Sequence, residues 1–432
     1  MSAELERSRS LVRARLGREP QDMLEAAVVL EAWAGIPAQR ALDTGRRLLP
    51  LTPAEPLASH AKTAPPRPRR GVVLEGTAFV ATVLAIALWA VPLAADLGSQ
   101  VVEQGLRVAL PLTLALQWGL RSRYLGRPGG LLALARHPRE LALGAVAVVA
   151  LPTAALGTPG LLAGLLTVTW TGGTILIRRG WYAVYGVLVA AATPAIFLLP
   201  AGQVLAATAI LTSGATALAV RPGAAGDPAA PGRWSRACRG ALIGAGVGLL
   251  IVSDPSVSWT AGTSPALALL PSTVASLWAG HRLWTLEHLI PRAVAGVPVG
   301  STPPRGVTRG PLGALLGSLS RLVWLTAALS AALVLTPWLP SGRSGLLTAF
   351  GLLALVTLLA SLLEALGRAS VAVAGVYAAL ATELLLRWED AAPFAGAPLA
   401  VGAAVGVCVL LPPVLALLAR PARTLATAMW IT

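Results

Sequence analysis

Lysine occurs once in this chain, at Lys62, and cysteine twice, at Cys238 and Cys408. Two cysteines in separate apolar stretches exclude a disulfide framework and a cysteine-based metal centre. Asp, Glu, Lys and Arg together make up only 12% of the 432 residues, about half the usual share of a soluble domain. Of the four histidines, His137, His281 and His288 lie beside basic residues between apolar runs, where surface or headgroup contact is expected rather than catalysis. The 19 acidic residues are dispersed, without the spacing that acid–base chemistry or a metal site requires. No phosphate-binding loop is present: Gly244, Gly246 and Gly248 fall inside an apolar run and read as close packing between helices. No enzyme, metal or cofactor is expected.

What is present is apolar. Hydrophobic residues make up 55% of the chain and its mean hydropathy is +0.71. From Gly71 onward, runs of about 20 apolar residues recur, each long enough to cross a bilayer as a helix. The fold class is all-α, a polytopic membrane protein. The formal charge of +15 comes from arginines lying mainly between the runs, where they report orientation rather than a nucleic-acid partner. The first residues are charged, so no cleavable signal is read. The Ala, Gly, Pro and Arg bias is that of a GC-rich bacterial genome.

The chain also reads as doubled. Residues 110–124, LPLTLALQWGLRSRY, return at 270–284 as LPSTVASLWAGHRLW, with Leu, Pro, Thr, Ala and Trp in register. Residues 183–191, AVYGVLVAA, match 372–380, AVAGVYAAL, and an arginine precedes each copy, Arg179 and Arg368. Residues 217–222, ALAVRP, match 416–421, ALLARP. Three matches in one order describe a two-fold internal repeat.

In chain order, residues 1–50 form a small cytoplasmic helical module. A charged helix over 3–16 precedes one over 20–34, on which Met23, Leu24, Ala27, Val28, Leu30 and Trp33 recur at helical spacing; Gly35 ends it and Pro37 opens a third. Either a helix-turn-helix or a plain helical hairpin has this order. So short a module is expected to dock on the membrane part or on a cytoplasmic protein partner. Residues 51–70 are a proline-rich linker ending in Arg67, Arg69 and Arg70.

About twelve transmembrane helices are expected, near residues 72–95, 104–120, 140–157, 160–177, 181–199, 202–220, 239–253, 262–279, 314–336, 344–365, 369–387 and 396–418. They divide into repeat 1 at 71–220, a cytoplasmic linker at 221–238 and repeat 2 at 239–432. With the N-terminus inside, arginines crowd the inner connections, and the outer side holds only Arg107, Arg343 and Arg387. Six spans per half make the repeats parallel, with both termini cytoplasmic. The two largest inner connections, 129–140 and 281–311, have an apolar face and a basic end, as a helix lying at the membrane interface would. Trp118, Trp181, Trp234, Trp259, Trp278, Trp338 and Trp388 fall near span ends, as interfacial anchors do.

Ionisable or polar groups near or inside spans are the candidate site. Glu103 and Arg107, Glu364 and Arg368, and Glu383 and Arg387 each place a Glu four residues before an Arg, on one helix face. Glu103, Arg107, Glu383 and Arg387 either line an outer gate or neutralise one another in pairs at the interface. Thr167, Thr169, Trp170, Thr171 and Thr174 surround Gly172 and Gly173; they either interrupt a helix beside a cavity or bond their own preceding carbonyls. Gln117 is a further substrate-cavity candidate, and Glu383 is the acid to weigh for a coupling proton or sodium ion.

Twelve spans in two parallel halves, a cytoplasmic N-terminus and enlarged inner connections after the second and eighth spans resemble the multidrug/oligosaccharidyl-lipid/polysaccharide flippase superfamily. The resemblance is one of architecture over roughly residues 71–420 and carries no functional residue across. It implies a bacterial inner-membrane transporter or flippase that moves a lipid-linked saccharide or another amphipathic substrate by alternating access, among membrane lipids. A major-facilitator-like exporter is the alternative of similar architecture; Gly119, Arg123, Gly126 and Arg127 echo that family's loop after the second span, without its acidic residue. A non-transporting membrane subunit, recruiting a partner through residues 1–50, is the alternative of another class.

Overall fold

The computed structural model describes residues 3–16, 19–20, 23–48, 69–125, 138–220, 233–260, 267–276, 305–335, 344–388 and 396–419. Among them there is no strand. The chain divides into two units, Met1–Pro65 and Pro66–Thr432. The expected proline-rich linker up to residue 68, nearly all of the interfacial segment at 129–140, the 281–304 part of the second one, and Trp278 and Trp338 lie outside the described residues.

The first unit contains α1 (Ala3–Leu16), α2 (Met23–Ala34) and α3 (Ala38–Leu48). They enclose Val12, Ala26, Ala27, Val29, Leu30, Ala41 and Leu48. The buried face of α2 differs from the stripe read in the sequence: Leu24, Val28 and Trp33 are exposed. Small residues decide this. Gly45 of α3 sits against the carbonyl of Met23 and the backbone of Ala27, so close that a Cβ would come within 2.7 Å of that carbonyl. α2 therefore turns its alanines inward. Trp33 instead lies beneath the Arg15 guanidinium, 3.9 Å from its ring centroid.

The second unit contains α4 (Arg69–Leu97), α5 (Ser99–Leu120), α6 (Pro138–Leu156), α7 (Thr158–Arg179), α8 (Tyr182–Leu198), α9 (Ala201–Ala219) and α10 (Trp234–Ser253). It continues with α11 (Leu267–Ser276), α12 (Arg305–Val334), α13 (Ser344–Ala365), α14 (Ala369–Trp388) and α15 (Ala397–Ala419). Among the described residues, nine helices are long and apolar enough to cross a membrane, within α4, α6, α7, α9, α10, α12, α13, α14 and α15. The apolar helices α8 and α11 are shorter. α5 has the length but carries Glu103, Gln104, Arg107 and Gln117 and is not among the nine. Large apolar side chains face outward, including Leu143, Val146 and Leu151 on α6 and Ile210 on α9, as lipid contact requires and water would penalise.

α5 lies between α7 and α10 and is the helix around which the unit packs. It runs antiparallel to α10, whose Gly240, Gly244 and Gly248 rest on Trp118 and Ser122, Leu114, and Pro111. A Cβ on Gly244 would fall inside the Leu114 backbone. α5 runs parallel to α7, with Gly105 against Leu162. α4 is parallel to α8 through Thr82–Tyr185 and Trp89–Thr193 hydrogen bonds, and α10 is parallel to α14, with Gly246 against Val376 and Tyr377. α14 and α15 form an antiparallel pair, with Gly375 on Leu410 and Gly402 on Ala379.

Two helices end in the same way. Gly180 (φ 86°) and Gly367 (φ 77°) take the left-handed conformation after α7 and α13. In both turns the next residue reaches back to the last helical turn, Trp181 N–H to Leu176 O at 2.8 Å and Arg368 N–H to Leu363 O at 2.7 Å. This is a Schellman closure, which glycine adopts without steric cost.

The glycine contacts give a test. Gly244→Ala is expected to destabilise the unit by about 1–3 kcal/mol, because backbone rather than a flexible side chain opposes the new methyl. Gly214→Ala, where nothing lies within 4 Å of the added carbon, is expected to leave stability unchanged or slightly raised. Thermal unfolding of the two variants in the same detergent makes the comparison.

Candidate functional site

The buried polar groups collect in three places along the α5–α10 pair. The first is where α5 begins and α10 ends. Arg107 Nε lies 3.3 Å from Glu103 Oε1, and Glu103 Oε2 accepts from the backbone N–H of Trp259 at 3.0 Å. Trp259 is buried, so it is not the interfacial anchor expected from its position. The loop after α10 folds its ring back into the core. Glu383 Oε1 accepts from Ser253 Oγ at 2.5 Å, and Arg387 donates to the Ser253 carbonyl. Of the three Glu/Arg spacings, Glu103–Arg107 thus closes as an ion pair, whereas Glu383 and Arg387 both bond to Ser253 and Glu364 bonds elsewhere. The Glu103–Arg107 and Glu383–Arg387 spacings converge on one segment, residues 253–259.

Asp254 belongs to the same place. Its Oδ1 accepts from Ser256 N–H at 2.9 Å and from Ser256 Oγ. Its Oδ2 accepts from Leu399 N–H, in the first turn of α15, at 3.3 Å. One carboxylate therefore closes the turn after α10 and satisfies an orphan amide at the start of α15. The Asp-Pro-Ser order at 254–256 is a turn signal readable in sequence; the reach to α15 is not.

The second place is midway along α5. Gln117 Nε2 donates to Thr174 Oγ1 at 2.9 Å and to Trp170 O at 3.4 Å. Thr113 donates to Thr167 Oγ1 at 3.3 Å. α7 passes unbroken through Gly172 and Gly173, which meet Thr212 of α9 and the Tyr185 ring of α8. Thr169 and Thr174 also bond carbonyls four residues back. Thr167, Thr169 and Trp170 are buried, and Thr171 Oγ1 is buried without a partner among the described residues. The helix holds together because each glycine is filled by a neighbour's side chain.

The third place is where α5 ends, continuing as one π-helical turn, Arg121–Leu125. Ser122 Oγ lies within hydrogen-bond reach of two acceptors for its one O–H, its own Trp118 carbonyl and Glu364 of α13. Arg123 donates to both oxygens of Glu140 at 3.0 and 3.1 Å and to the Tyr124 phenol at 3.0 Å. Its guanidinium stacks 3.8 Å from the Trp234 ring centroid. Tyr124 donates to Glu140 Oε2 at 2.5 Å. Burial, and then the hydrogen bond to Glu140, push the Tyr124 phenol above its ordinary range, and Arg123 only partly offsets this. Sequence reasoning missed Ser122, Tyr124, Glu140 and Ser253 as partners. Their neighbours lie up to 242 residues away, and no local pattern encodes that.

An apolar groove of about 250 Å³ lies between α12 and α13, lined by Leu322, Thr326, Ser330, Leu347, Gly351 and Leu355. Thr326 Oγ1 is buried there without a partner among the described residues. Among the described residues, no three His, Cys, Asp or Glu side chains gather as a metal ion would need. No protein-family model, curated protein or solved structure matches the chain. The functional reading therefore stands on the geometry above.

Two outcomes follow. Asp254→Ala removes the acceptor of the buried Leu399 amide and of two half-buried Ser256 donors and is expected to cost about 1–3 kcal/mol, with faster hydrogen exchange at the Leu399 amide as the local signature. Tyr124 has a raised folded-state pKa, so its stabilising contribution is present below the ordinary phenol range and is lost as pH rises through the folded value. Glu140→Gln is expected to bring the Tyr124 ionisation back toward that range in an ultraviolet titration, with Tyr124→Phe identifying the signal.

Proposed function

We propose that this protein is a bacterial inner-membrane transporter or flippase that moves a lipid-linked saccharide or another amphipathic substrate by alternating access. Its twelve helices from α4 to α15 are read as twelve spans in two parallel halves, α4–α9 and α10–α15, with both termini cytoplasmic. The contact pattern supports the halves. In the first, α4 meets α8, α6 meets α7, α7 meets α9 and α8 meets α9; in the second, α10 meets α14, α12 meets α13, α13 meets α15 and α14 meets α15. The paired sequences at 183–191 and 372–380 fall on α8 and α14, in corresponding positions. The matching glycine closures of α7 and α13 fall in corresponding positions too.

The observation that carries the transport reading is a polar bridge between the halves at each end of α5. Glu103 meets the Trp259 amide at one end, and Ser122 meets Glu364 at the other. A carrier that opens to one side at a time needs a closing contact at each face, formed and broken in turn. Hydrogen bonds serve this better than apolar packing, because water can replace them on the open side. The groove between α12 and α13 suits the apolar tail of such a substrate. A second reading, a membrane subunit that recruits a protein through residues 1–50, is favoured by the exposed Leu24, Val28 and Trp33 on a module with its own core.

Native mass spectrometry of protein extracted gently from its own host tests both. A co-purifying polyprenyl-linked saccharide or amphipathic molecule, reduced by bulky substitution at Gly351, is the expected result. A stoichiometric protein partner without such a ligand would replace the transport reading with the subunit reading.

A further inference from the structure

Two carboxyl groups lie buried near the end of α10, and their surroundings differ. Asp254 has both oxygens bonded to donors from the following turn and from α15. Glu383 has one. Its Oε1 accepts from Ser253, whereas Oε2 is buried without a partner among the described residues, and the side chain is 0% exposed. A carboxylate that serves only to hold structure is normally satisfied at both oxygens when buried, as Asp254 is. The nearest cation, Arg387, stands one turn further along the same face of α14, yet it donates to the last carbonyl of α10 instead.

We propose that Glu383 is a proton-binding site, and that its charge decides whether Arg387 holds the end of α10 or turns to Glu383. With the proton on, the carboxyl is neutral, Arg387 is left to the Ser253 carbonyl, and α14 clamps the end of α10. When the O–H bond breaks, the proton passes to a water molecule at that end and the electron pair stays on the carboxylate. An ionised group with a bare oxygen in apolar surroundings then draws the guanidinium four residues on. A guanidinium that turns toward Glu383 moves away from the carbonyl it bonds in this structure, and the carbonyl is released. With it goes the clamp on residues 253–259, the segment that Glu103 grips from α5. Proton exchange at one buried carboxyl is thereby coupled to the bridge between α5 and the chain after α10.

The charges around Glu383 allow this assignment. From the end of α10 it faces Asp254, whose oxygens are occupied. Across residues 253–259 lie Glu103 and Arg107, which pair with each other. α15 carries no Asp, Glu, Lys or Arg, and its Cys408 is exposed. The one acid of α13, Glu364, lies at the opposite end with Ser122. Tyr377, also on α14, sits nearly two turns earlier, against Gly246. Glu389 and Asp390, which follow α14, lie outside the described residues.

The inference needs no particular substrate, so it is tested apart from the transport reading. The full chain in lipid nanodiscs, without added ligand, is followed by hydrogen–deuterium exchange across a pH series corrected for the intrinsic rate. Residues 253–259 are expected to be protected at low pH and to lose on the order of tenfold protection through a single-proton transition as pH rises. Glu383→Gln is expected to stay protected throughout, and Arg387→Gln to be unprotected throughout. Ser253→Ala, which keeps the carboxyl but removes its donor, is expected to move the midpoint without abolishing the transition. A wild-type segment whose protection does not change with pH overturns the proposal. So does a transition that survives in Glu383→Gln, or a midpoint unmoved in Ser253→Ala. Recovery of a lipid-linked substrate would leave each of these outcomes unchanged.

Discussion

The close approach of α5 and α10 is the constraint on which the other contacts depend. Gly240, Gly244 and Gly248 repeat every four residues, about one per turn, so α10 presents a strip of backbone to α5 through its middle. In a bilayer, where lipid tails are as apolar as leucine, helices associate through such close packing rather than by escaping water. The strip also brings together what would otherwise be remote. Ser122 reaches Glu364 on α13, and Glu103 reaches the Trp259 amide in the loop after α10, from the two ends of this packed pair.

Burying polar groups inside such a bundle is costly unless each finds a partner. α5 carries most of them, and it is shielded by α4, α7 and α10. Its two charged residues, Glu103 and Arg107, sit in its first half, and its amide, Gln117, faces threonine and a carbonyl on α7. Several buried groups are exceptions among the described residues, the hydroxyls of Thr171, Thr212, Ser318 and Thr326 among them. Asp254 and Arg123 are fully engaged and read as structural, whereas Glu383 and Glu364 each keep one buried oxygen without a partner among the described residues. Glu383 lies beside the end of α10 and Glu364 beside the turn that follows α5.

Helix existence was legible in the sequence because it depends on length and local composition. The starts and stops of α1 to α3 and of α7 to α10 follow proline, glycine and the apolar runs closely. The face each helix buries was less legible. On α2, Leu24, Val28 and Trp33 look like core, yet Ala26, Ala27, Val29 and Leu30 occupy it, with Gly45 of α3 against the backbone at Met23 and Ala27. Around Gly172 and Gly173 the sequence left a break and a packed helix equally open. Tyr185 and Thr212, supplied by other helices, fill the gaps and keep α7 whole.

By itself the sequence determined that the chain is helical and apolar and that its ionisable groups are few, because these follow from residue type and spacing alone. It also singled out Glu103, Arg107, Glu383 and Arg387 through their four-residue spacing. Which of those groups pair was decided only by tertiary structure. Spacing along one helix allows an ion pair, but a competing acceptor on another helix, the Ser253 carbonyl, takes Arg387 from Glu383. That competition exists only once α10 and α14 lie side by side, and it leaves one buried carboxyl half satisfied beside another that is complete.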